Sequence, residues 1–158
     1  MKTLGESLDR YKEFTAWIAV FPPLTVTLTT YISTKFTFAS RELGSILSIV
    51  FMFVALFLFL TSDKYVRRIV FSEGLSEDEL VRLYKKAVLL VGLLIPIMGL
   101  VSALLVGYPD APLTVLSFTI ISLSGLGSAW KRFADKLTGN IVLPGLGGSG
   151  ETKERKGR

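Results

Sequence analysis

The sequence contains no cysteine and no histidine. The first absence excludes disulfides, thiolate metal sites and a cysteine nucleophile. The second removes the commonest general base and metal ligand. Glutamine is missing too, and Asn140 is the sole asparagine. That depletion of thermolabile amides fits a thermophilic source. Charge is missing as systematically, but by region. Phe14–Thr34, Leu43–Ser62, Ala87–Pro109 and Ala111–Trp130 are 21, 20, 23 and 20 residues long and hold no Asp, Glu, Lys or Arg.

About 20 mostly apolar residues cross a hydrocarbon core of about 30 Å. A soluble bundle would break such windows with polar stripes, and half of this chain is hydrophobic. The expected fold class is therefore all-α. It is an integral membrane four-helix bundle of two antiparallel transmembrane hairpins, with spans at about 15–34, 44–62, 87–107 and 112–130. A signal peptide is not expected at the start. Glu6, Asp9 and Glu13 offset its basic residues, Pro22-Pro23 interrupt the apolar stretch, and no small-residue cleavage site follows.

Basic residues then orient the spans. Lys2, Arg10 and Lys12 precede the first window, and only Lys35 and Arg41 separate it from the second. Lys64, Arg67, Arg68, Arg82, Lys85 and Lys86 separate the second from the third. None lies in the third connection, and Lys131, Arg132, Lys136, Lys153, Arg155, Lys156 and Arg158 follow the fourth. Alternating sides gives sixteen against two, so both termini are expected in the cytoplasm of a multi-pass cell-membrane protein.

Local pattern divides the chain further. Leu4, Leu8, Tyr11 and Phe14 share one helical face, so 1–14 reads as an amphipathic segment on the cytoplasmic surface. In the first span Pro22-Pro23 predict a break, since each lacks an N–H and disfavours helix before it. Thr25, Thr27, Thr29 and Thr30 follow. They either bond their own backbone or, with Pro22 and Pro23, line a pore or polar face.

Past the second span, Tyr65, Val66, Ile69 and Val70 continue an apolar stripe opposite Lys64, Arg67 and Arg68. Ser76 and Glu79 have the spacing of a capping box, with Leu75 and Leu80 placed as a hydrophobic staple. Residues 63–86 thus predict a cytoplasmic helical hairpin that continues spans two and three. Glu77, Asp78 and Glu79 fit this helix start rather than a metal site. Gly99, Ala103 and Gly107 recur every four residues, as do Ser124 with Ser128 and Gly125 with Ala129. Such small-residue faces admit a close helix, within the chain or from a second copy. Pro96 predicts a kink in the third span. Lys131, Arg132 and Lys136 oppose Trp130, Phe133 and Leu137, a pattern suited to lipid headgroups. Residues 139–158 read as a flexible basic tail without the aromatic residues expected of a nucleic-acid partner.

No ionisable residue lies inside a span, so an intramembrane proton or cation relay is not expected. Nucleotide-loop, nucleophile-elbow and zinc-protease signatures are missing, and no cofactor or metal is expected. The favoured function is a non-catalytic scaffold or membrane subunit. It would contact the bilayer, pack with other helices as a homo-oligomer or membrane complex, and dock a cytoplasmic protein through 63–86. The alternative is an oligomeric pore or transporter for a neutral or weakly hydrated solute, lined by the first span.

Overall fold

Two prolines and one serine punctuate the chain as backbone chemistry requires. The computed structural model describes residues 4–36, 40–71 and 74–139, and these are helical almost throughout, with no strand. The tail expected beyond residue 139 lies outside the described residues. Helix α1 (Leu4–Ala19) ends at Val20, and α2 (Phe21–Ser33) opens with Pro22 and Pro23 in its first turn, where missing N–H groups cost least. Helix α1 thus continues past residue 14 into the first charge-free window. Helix α3 (Arg41–Phe71) carries span two straight through into the charged hairpin. Ser76 then caps α4 (Glu77–Leu89): its hydroxyl accepts from the Glu79 N–H at 3.3 Å, and the Glu79 carboxylate accepts from the Ser76 N–H at 3.3 Å. A π-helical turn (Leu90–Leu94) joins α4 to α5 (Ile95–Val106). A short turn with a cis Tyr108–Pro109 bond leads into α6 (Ala111–Thr138). Four of the helical stretches, Leu8–Ser33, Arg41–Phe71, Glu77–Val106 and Ala111–Thr138, are long and apolar enough to cross a membrane.

Contacts fix how these helices run. Along α3 the partners descend through α4 and α5 as α3 ascends: Arg41 meets Asp110, Ser48 meets Ser102 and Ser62 meets Ala87. The two are antiparallel. Helices α5 and α6 are antiparallel as well, with Gly99 against Phe118 and Val91 against Ser122 and Gly125.

The expected pairing of spans one and two into a hairpin is corrected. Helix α2 packs on α5 and α6, and α3 packs on the same two helices from another side. Among the described residues α2 and α3 make no close approach. The reason is that the small residues lie on α5 and α6. Backbones approach closely where Gly99, Ser102, Ala103 and Gly125 present no bulk, whereas the middle of α3 is dense in Phe and Leu. Burial follows: 44% and 39% of the most apolar windows of the third and fourth spans are buried, against 22% and 11% for the first and second. The exposed side of α3 carries Ile46, Val50, Phe53, Phe57 and Leu60.

Candidate functional site

Three of the four threonines of α2 are tied down by the helix they sit on. Thr25 donates to the carbonyl of Pro22 at 2.6 Å and Thr27 to Pro23 at 3.4 Å. Thr30 donates to Val26 at 2.8 Å, Ser33 to Thr30 at 3.3 Å and Thr34 to Tyr31 at 2.7 Å. This is the backbone satisfaction that an apolar medium requires. Pro22 and Thr25 are buried and Pro23 is exposed. Thr29 is 0% exposed, and its hydroxyl has no hydrogen-bond partner. Within one chain, water does not reach it.

The small residues divide by helix face. Gly99, Ala103 and Gly107 are buried, and a methyl group on Gly99 would lie 2.6 Å from Cβ of Phe118 in α6. Gly125 and Ala129 point inward, with a methyl at Gly125 2.9 Å from Cγ1 of Val91. Ser124 and Ser128, one position earlier in each pair, are exposed. The closest approach to another helix's backbone lies at a residue the sequence pattern does not single out. A methyl on Gly44 would sit against the Leu105 carbonyl, 2.8 Å from its carbon.

Pro96 supplies a second constraint. The π turn sends the Ile95 N–H back to the Leu90 carbonyl, five residues earlier. The next bond in that pattern would run from residue 96 to Val91, but proline has no N–H. The stranded Val91 carbonyl is met instead by the buried hydroxyl of Ser122 from α6. Ser122→Ala should therefore cost about 1–3 kcal/mol, the penalty for an unsatisfied buried acceptor. The unfolding midpoint in mild detergent checks this. Ser117→Ala is the comparison: that exposed hydroxyl only donates to Leu113 of its own helix, and its loss should change little.

At the basic end, three helices meet on one aromatic cluster. Tyr84 of α4 is fully buried and stacks on Phe133 of α6, with ring centres 3.9 Å apart and planes 12° from parallel. Tyr11 of α1 meets Phe133 edge-on at 5.5 Å, and Trp130 lies 6.4 Å from both Tyr84 and Phe133. The Tyr84 hydroxyl is hydrogen-bonded to Thr15, which is placed to donate to the Tyr11 carbonyl at 2.8 Å. Beside this cluster Asp63 accepts from Arg67 at 2.6 Å and from Arg132 at 3.0 Å, joining α3 to α6. Lys136 donates to the Val70 carbonyl at 3.2 Å, and Lys131 is exposed. So of the three basic residues of α6, two grip α3 and one faces outward.

The hairpin's apolar stripes are also spent internally. Val66, Ile69, Leu80 and Tyr84 are buried in the core, and Arg68, Phe71, Arg82, Lys85 and Lys86 are left on the outside. Sequence reasoning marked the stripes but missed that Tyr84 and Phe133 bind them together. The interleaved aromatic positions of α4 and α6 were the signal available.

Chemically the arrangement holds helices together: most buried hydroxyls close a carbonyl or another hydroxyl. Set against protein-family models, curated proteins and solved structures, the chain matches none of them.

Proposed function

We propose that this chain is a multi-pass membrane protein with both ends in the cytoplasm, acting as a non-catalytic scaffold or membrane subunit. The observation that carries the reading is the division of its surface. The interior is closed by Tyr84, Phe118, Phe133 and small residues, while α3 turns a long Ile-, Val- and Phe-bearing face outward and the 63–86 hairpin shows a charged one. The first face suits lipid or a partner's helix, and the second suits an acidic surface of a cytoplasmic protein. Burial of Thr25 and Thr29 in a single chain speaks against the pore reading, because a pore-lining hydroxyl must meet water.

The absence of cysteine makes the test direct, because any introduced thiol is unique. Single variants Lys35→Cys and Tyr108→Cys should react with an impermeant maleimide in intact cells. Ser76→Cys and Arg82→Cys should react only after permeabilisation. The reverse pattern would overturn the orientation. A photocrosslinker attached to the thiol of the Arg82→Cys variant in native membranes should then capture a protein that Arg68→Glu releases. Capture of this chain only would remove the cytoplasmic-partner reading.

A further inference from the structure

The π turn has a second effect, on the outer surface. Between α3 and the π segment lies a groove of about 290 Å³, floored by Leu89, Leu90 and Leu94 and rimmed by Tyr65 and Lys86. Leu89 and Leu94 remain 42% and 38% exposed, although the helix around them is otherwise well packed. The π turn re-aims side chains relative to a regular α-helix, and such turns recur at binding sites. Polarity is graded along the groove. Lys86 is exposed, has no ion-pair partner among the described residues, and stands in the last turn of α4. Tyr65 is half-buried beside it. From Lys86 to Leu94 is eight residues, or about 12 Å of helix. No carboxylate lines the groove, and the neighbouring Asp63 is held by two arginines.

The geometry points to a specific site for one anionic phospholipid, its phosphate on Lys86 and Tyr65 and an acyl chain along Leu89, Leu90 and Leu94. This rests on the membrane reading, which puts Lys86 and Tyr65 at headgroup depth and Leu94 within the hydrocarbon. A lysine meeting a phosphate above an apolar trough gains both attraction and burial. The occupant differs from a bulk headgroup contact at the end of α6, where Arg132 and Lys136 are already engaged.

The test is native mass spectrometry of the full chain, released from nanodiscs of phosphatidylcholine with phosphatidylglycerol. Wild type should retain one phosphatidylglycerol in preference to phosphatidylcholine. Lys86→Gln should reduce that retention about five-fold. Lys64→Gln, which removes an equal charge outside the groove, should leave it unchanged. Leu94→Trp, filling the trough, should displace either lipid. Equal retention of both lipids by wild type, or equal losses in Lys64→Gln and Lys86→Gln, would overturn the site. Competition by inorganic phosphate without effect of Leu94→Trp would do the same, by assigning the rim to a free anion. If the protein stayed in solution without detergent and failed to float with vesicles, the membrane reading itself would fall.

Discussion

Replacing Tyr84 by alanine should lower stability by about 3–5 kcal/mol, the range for emptying a large buried aromatic site. Tyr84 is completely buried, stacks on Phe133 and sits within reach of Trp130, so its removal leaves a hole where α1, α4 and α6 meet. Tyr84→Phe is the informative partner. It keeps the ring and loses only the hydroxyl, and Thr15 retains the Tyr11 carbonyl as acceptor. That variant should cost about 1 kcal/mol, the net worth of one hydrogen bond. Denaturant unfolding in mild detergent, followed by circular dichroism, gives both values. Two equally destabilised variants would mean that the hydroxyl, not the stacked ring, joins the helices.

The second large effect concerns a different helix pair, α3 and α5, at the opposite end of the bundle. Gly44→Ala should cost up to about 3 kcal/mol, the upper part of the range for overpacking. The obstacle to its methyl group is the Leu105 carbonyl, which is backbone and cannot rotate away. Relief requires α3 to move off α5, and that would strain the neighbouring Ser102–Ser48 hydrogen bond of 2.7 Å and the Arg41–Asp110 contact of 3.4 Å. The exposed Arg41 pair adds little by itself, as surface ion pairs do. Gly127→Ala supplies the control. Nothing lies within 4 Å of a methyl group there, so the change should raise stability by about 0.5–1 kcal/mol through helix propensity. If Gly44→Ala were as harmless as Gly127→Ala, the close α3–α5 approach would be refuted.

Much of this architecture was legible from local rules. Charge-free runs marked four long helices, Ser76 and Glu79 marked the start of α4, and the prolines marked the break at Val20. These features depend on neighbours in sequence. Thr25, Thr27 and Thr30 of α2 also followed a local rule, bonding carbonyls three or four residues back. Neighbours in space were harder to read. Gly44 is one small residue among many until Leu105 is known to face it. Ser122 carried no signal until Pro96 stranded a carbonyl on another helix. The π turn was invisible as well, because Leu90–Leu94 reads as ordinary apolar helix and the extra residue is absorbed by the bond that Pro96 cannot make. The separation of α2 from α3 escaped the sequence for a related reason: a connection of several residues permits adjacency without requiring it.

That separation has a consequence for how the protein is made. A ribosome delivers α2 and α3 before α5 and α6, and neither offers the other a packing surface. Ser62 lacks the Ala87 carbonyl and Ser48 lacks the Ser102 hydroxyl until the third span emerges. Tyr84 lacks Phe133 until synthesis is nearly at residue 139. In the proposed membrane setting, the first half of the chain waits as two independent helices in the bilayer, open to quality-control proteases. Assembly is completed by the last helix to arrive, so a truncation within α6 would leave α2 and α3 with only α5 to pack on.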